Sequence, residues 1–151
     1  MVSMPDQPRT SYLVARLDRL IRARLVDALR PFEVTVPQYT LLSVLDIRPG
    51  LSNAQLARRS YISAQAMHQL VNGLEARGMI SRRSSPDHGR AQPAELTATG
   101  RALLAKCDAA VVDVERGLFG QLAPDQEGTL RSIVEATIEG ARRPTGEGVD
   151  G

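Results

Sequence analysis

Residues 52–78 read SNAQLARRSYISAQAMHQLVNGLEARG, and the fold turns on how this stretch divides. Ser52 and Gln55 stand at the spacing of a capping box, in which each side chain meets a backbone N–H left free at a helix start. Leu56 is the inward residue of the short helix that follows. Arg58 and Arg59 close it with the charge a helix C-terminus favours. Ser60-Tyr61-Ile62 makes a three-residue joint. Ser63 then caps a longer helix, expected to run to about Arg77 with Gly78 as its stop. Its length is about fifteen residues, roughly 22 Å. A short helix, a tight joint and a longer helix match the helix-turn-helix arrangement.

On a helix over 63–77, Met67, Leu70, Val71 and Leu74 share one face. Gln65, His68, Gln69 and Asn72 share the opposite one, at spacing i, i+3, i+4, i+7. Exposed helix faces usually carry Glu and Lys, yet this one has no acid until Glu75. Amide side chains bond adenine N6 and N7 in the major groove. Ser63 and the free N–H groups at the helix start suit a phosphate. The same residues also suit a plain polar surface, and a lone His68 is more often that. Their place just after the joint is what favours base reading.

Beyond Gly78 the pattern changes. Met79–Ser84 reads as a short strand, Pro86–Arg90 as a turn cluster, and Pro93–Thr97 as the returning strand of a hairpin. Between Arg77 and Arg90 four arginines (77, 82, 83 and 90) face one acid, Asp87. Arg82 and Arg83 can reach flanking phosphates, and Arg90 at the tip can enter a narrow minor groove. The competing reading is a solvated loop.

Helices flank this centre. Leu13, Leu17, Leu20, Ile21 and Leu25 recur at helical steps until Pro31. Pro37 opens a second helix carrying Leu41, Leu42, Val44 and Leu45, closed by Pro49-Gly50. Thr97 caps a long fifth helix with Leu104, Cys107, Val111, Val114, Leu118 and Leu122 on one stripe. Pro124 restarts a sixth with Leu130, Ile133, Val134 and Ile138 on one side. The expected fold is mainly α with a small β-hairpin wing. A winged helix-turn-helix over about 37–97 lies between dimerisation helices at about 11–30, 98–121 and 124–142. Together they make a single domain over 11–142, with flexible tails at 1–10 and 143–151.

The 151 residues carry 19 Lys and Arg against 17 Asp and Glu, a net charge of +2. A nucleic-acid argument therefore rests on where the charges sit. Aromatic residues are 3% of the chain, so the core is built from Leu, Ala, Val and Ile. The single cysteine, Cys107, excludes an internal disulfide and a Cys-rich zinc site. With only His68 and His88 beside it, no metal centre is expected, nor any cofactor. Cys107 sits on an apolar stripe and reads as a small hydrophobe. No apolar run reaches the roughly 18 to 20 residues of a membrane span. Met1–Arg9 has no apolar core of a signal peptide, so a cytoplasmic protein is expected. There is no Gly-rich phosphate loop or nucleophile elbow, which argues against an enzyme.

The helix order, the segments Leu51-Ser52-Asn53-Ala54-Gln55-Leu56-Ala57 and Leu74-Glu75-Ala76-Arg77-Gly78-Met79-Ile80, and then His88-Gly89-Arg90 with Leu96-Thr97-Ala98-Thr99-Gly100, together resemble the MarR family of bacterial transcription regulators. The resemblance covers roughly residues 11–142. It implies a homodimer joined by the first, fifth and sixth helices, with a winged helix-turn-helix in each lobe. It places Gln65, His68, Gln69 and Asn72 on the recognition face and Arg90 at the wing tip. His88 stands where the family often has an acid that orients that arginine. The resemblance implies a repressor released from a pseudo-palindromic operator by a small aromatic or lipophilic ligand. Tyr12, Phe32 and Tyr39 are candidates to line the ligand cleft, and all three equally suit the core. Apolar stripes too long for one small lobe also argue for a two-fold dimer, with half-sites about one helical turn apart. The competing function is a winged-helix dimerisation or protein-interaction module without DNA binding.

Overall fold

The computed structural model describes residues 7–60, 62–82 and 93–142. The expected tails at 1–10 and 143–151 fall mostly outside them, as do Tyr61, Arg83 and the wing tip with His88 and Arg90. The chain divides into two compact units, 1–114 and 115–151.

The first unit begins with α1, Thr10–Leu29, which passes into a single 3-10 turn over Arg30–Phe32. Pro31 falls at the start of that turn, where its missing N–H is not needed. Glu33 then takes φ 55, the left-handed conformation that stops the helix. Helix α2, Val36–Ile47, is set by Thr35. Thr35 Oγ1 accepts from Gln38 N at 3.3 Å, and Thr35 N donates to Gln38 Oε1 at 3.0 Å. Pro37 lies inside the first turn rather than opening the helix. The same reciprocal box starts α3, Asn53–Ser60, through Ser52 and Gln55. Ser63 caps α4, Ala64–Ala76, by accepting from Ala66 N at 3.1 Å. Gly78, at φ 73, turns the chain out of α4.

Strands β1, Ile80–Arg82, and β2, Ala94–Leu96, pair antiparallel, with Ile80 opposite Leu96 and Arg82 opposite Ala94. Leu51 bridges Ala94 from the other side, so the hairpin is moored to the segment that enters α3. Thr97 closes the joint between hairpin and α5, Ala98–Phe119. Its hydroxyl donates to Gly78 O at 2.5 Å and accepts from Gly100 N at 3.0 Å.

The main core gathers Leu41, Leu42 and Leu45 of α2, Leu56 of α3, Met67, Val71 and Leu74 of α4, Ile80 and Leu96 of the hairpin, and Leu104 of α5. Each such side chain contributes about 1.5–3 kcal/mol when fully buried, so every element of the helix-turn-helix and wing is held by at least one anchor. A smaller cluster joins Leu29, Val34 and Cys107. Helix α1 buries only Leu29, leaving Tyr12, Leu13, Val14, Leu20 and Val26 exposed.

The second unit holds the end of α5 and α6, Pro124–Arg142. Ala123 N donates to Gln126 Oε1 at 2.9 Å as α6 begins. Helix α6 buries no residue, and Ile133, Val134 and Ile138 remain exposed.

Candidate nucleic-acid interface

Helix α4 packs its Met67, Val71 and Leu74 face against the core. The helical period then turns Gln65, His68, Gln69 and Asn72 outward, and all four are exposed. Ser63 sits at the helix start with its hydroxyl already bonded to Ala66 N. The sequence-derived face is therefore assembled on one helix, and Ser63 holds its N-terminus open to an anion only through the remaining free N–H groups.

Two members of this face have partners that the sequence reading missed. Asn53, at the start of α3, places its amide nitrogen 3.4 Å from His68 Nδ1. Nε2 is then the ring nitrogen left for a ligand. Asn53 Oδ1 is buried without a partner among the described residues. Asn72 Oδ1 accepts a hydrogen bond from the Arg82 guanidinium. Arg82 Nε also donates to Glu75 Oε2 at 2.8 Å. The Arg82 side chain is 15% exposed, so it folds back over α4 instead of projecting from the hairpin as a free cation toward flanking phosphates. Its acid partner, Glu75, stands on the same helix that presents the face.

Arg77, counted with the basic hairpin in the sequence reading, is exposed and engaged elsewhere. Its guanidinium donates to Glu33 O at 2.7 Å and to Phe32 O at 3.4 Å. These are carbonyls that the 3-10 turn leaves unsatisfied at its end. Arg83 and Arg90 lie outside the described residues.

The three aromatic candidates for a ligand cleft are not brought together. Phe32 and Tyr39 both pack against the Leu29, Val34 and Cys107 cluster. Tyr39 also donates its hydroxyl to Asp108 Oδ1 at 2.8 Å, tying α2 to α5. Tyr12 is 53% exposed and lies under the Arg16 guanidinium, 5.9 Å from the ring centroid. An open cleft of about 640 Å³ in this unit is lined by Arg22, Val26 and Arg30 and by the segment from Glu33 to Pro37.

Cys107 is buried. Desolvation pushes its thiol pKa up, Asp108 adds to the rise, and Arg77 opposes it. Such a thiol is a poor nucleophile. Among the described residues no three His, Cys, Asp or Glu side chains gather as a metal site. No described helix is long and apolar enough to cross a membrane.

The model of the MarR family matches residues 32–91, which span α2, the helix-turn-helix and the start of the hairpin. An HTH-type transcriptional repressor of Mycobacterium tuberculosis is 33% identical over 134 residues, covering 89% of this chain and 96% of that protein. The chain belongs to the MarR family. A MarR-family protein of M. tuberculosis in complex with DNA superposes with a TM-score of 0.75 at 30% identity, over 87% of this chain and 98% of that one. The same M. tuberculosis protein in complex with salicylic acid gives a TM-score of 0.72 at 33% identity, over 89% of this chain and 99% of that one. The winged-helix architecture expected of this MarR-family chain is thereby shown, and its family is one of transcription regulators.

Proposed function

We propose that this MarR-family chain is a homodimeric, sequence-specific DNA-binding repressor released from its operator by a small aromatic ligand. The observation that carries the reading is the exposed row Gln65, His68, Gln69 and Asn72 on α4. It is a neutral, hydrogen-bonding face on a helix stiffened by core packing, which is what reading base edges in the major groove requires. Ser63 and the helix start contribute phosphate contacts. Arg83 and Arg90, from the sequence between the two strands, supply contacts to the flanking backbone and minor groove. Arg82 supports the face from behind. The likeness to a relative crystallised on DNA supports the same role for the whole first unit.

A second copy covers the apolar surface. Leu20 is 54% exposed and Ile133 59%, so a partner would take apolar surface out of water on both. A two-fold dimer presents two copies of α4 to successive turns of a pseudo-palindromic duplex. The cleft beside Arg22, Val26 and Arg30 is the place for the ligand. It is wide enough for a ring, in line with a relative that binds salicylic acid, and a ligand carboxylate there competes for Arg22 and Arg30 with Asp18 and Asp27, each paired at 2.9 Å. A ligand that favours dimers with the wrong spacing of the two α4 helices lowers DNA affinity by linkage. The protein acts in the cytoplasm, where its operator is, and the reading involves no catalysis.

The test is DNA binding by Gln69→Ala and Arg90→Ala with the dimer intact in both. Loss of affinity supports the reading. Unchanged affinity in both supports a protein-interaction module instead.

A further inference from the structure

The hydrogen-bonding groups on the outer face of α4 are not symmetric between donors and acceptors. An amide reads adenine by using both ends on one base edge, its oxygen accepting from N6 and its nitrogen donating to N7. Asn72 cannot do this as it stands. Its Oδ1 is turned back to the Arg82 guanidinium, leaving the NH₂ end for a ligand. The arrangement is braced. Arg82 is at the same time held by Glu75 through a 2.8 Å charge-assisted bond, and its side chain is only 15% exposed. Glu75 lies three residues after Asn72, on the next turn of α4, so one guanidinium spans both side chains.

We infer that Arg82 is a positioning residue that makes Asn72 a donor-only reader, so the operator carries guanine or thymine, not adenine or cytosine, at the base facing Asn72. Guanine offers O6 and N7 and thymine offers O4, all acceptors, whereas cytosine offers only its N4 donor. Adenine's N7 alone gives one bond where the free amide makes two. Gln65 and Gln69 have no such brace among the described residues and keep both ends of their amides. The inference rests on α4 being the base-facing helix, and it deepens that reading by naming which bases one position takes.

The experiment is selection of duplexes from a randomised library by the full-length protein, followed by sequencing. Asn72→Ala marks the position that Asn72 reads, as the one that loses its preference. Wild type is expected to enrich guanine or thymine there. Arg82→Met keeps the apolar stem and frees the Asn72 oxygen, so adenine should rise at that position by about fivefold or more, the lower end of a bidentate contact's discrimination. Glu75→Gln removes the brace without touching the buried stem and should shift the same position in the same direction. It stands as the second variant should Arg82→Met fail to fold. Wild-type enrichment of adenine or cytosine at that position overturns the inference. So does a uniform loss of affinity in Arg82→Met across all sequences with a shallower salt dependence, which marks Arg82 as a phosphate contact. Failure of the wild type to enrich any duplex overturns the DNA reading itself, and the inference with it.

Discussion

Gly100 decides how closely α5 can approach the end of the hairpin. A Cβ built on Gly100 would lie 2.1 Å from Met79 O, against the 3.4 Å at which ordinary contact begins. The obstacle is backbone, and that carbonyl already accepts from Thr97 N at 3.1 Å. Gly100→Ala must therefore push α5 away from Met79. Overpacking of this kind costs about 1–3 kcal/mol. The lost Thr97 bond adds about 1 kcal/mol. Alanine's better helix propensity returns about 1 kcal/mol. The net expectation is a destabilisation of about 1–3 kcal/mol. Gly73, in the exposed middle of α4, has nothing within 4 Å of its Cβ position. Gly73→Ala should therefore stabilise by up to about 1 kcal/mol through propensity alone. Urea unfolding of both variants and wild type, at one protomer concentration, reads the difference. Equal midpoints for the two variants would refute the close approach and the account of how the hairpin is docked.

Three further outcomes follow from particular side chains. Thr35→Ala removes the capping box of α2 and should lower stability by about 1 kcal/mol in the same urea assay. Ile133→Glu places a charge on the exposed face of α6; sedimentation should show a shift from dimer toward monomer at micromolar protein, with helicity retained. Cys107, with its raised pKa, should react with a thiol reagent only as fast as the protein opens. Because the folded state holds this proton more tightly than the unfolded chain, the stabilisation is complete below the thiol's ordinary pKa. It declines as pH climbs from there through the raised value, which unfolding measured in steps across alkaline pH will show against Cys107→Ala.

The parts of the fold that are legible in the sequence are those set by neighbours in the chain. Ser52 with Gln55, Ser63, Gly78 and Thr97 act within one helical turn, and each does in the structure what its spacing implies. Thr35 and Gln38 carry the same spacing, but Pro37 between them suggested a later start. The outward row on α4 follows from helical period alone. What the sequence does not carry is the fate of individual arginines. Arg77 finds its carbonyl partners 44 and 45 residues away, and Arg82 meets Glu75 only because the hairpin turns back over α4. A local count of charge made both part of a basic wing, whereas packing gives one to the 3-10 turn and the other to Asn72. Aromatic residues posed the same difficulty. Tyr39 reaches Asp108, 69 residues on, so its burial beside Phe32 depends on how α5 crosses α2. Nothing near Tyr39 in the chain announces that crossing.

The central claim is that α4 and the hairpin recognise a particular DNA sequence. Fluorescence anisotropy of the purified protein on the DNA upstream of its own gene tests it most directly. A random duplex is the control, with salt stepped from about 50 to 200 mM. The account predicts binding to the upstream DNA at least about a thousandfold tighter than to the random duplex. Equal and strongly salt-dependent binding to both, or binding to neither, would contradict it.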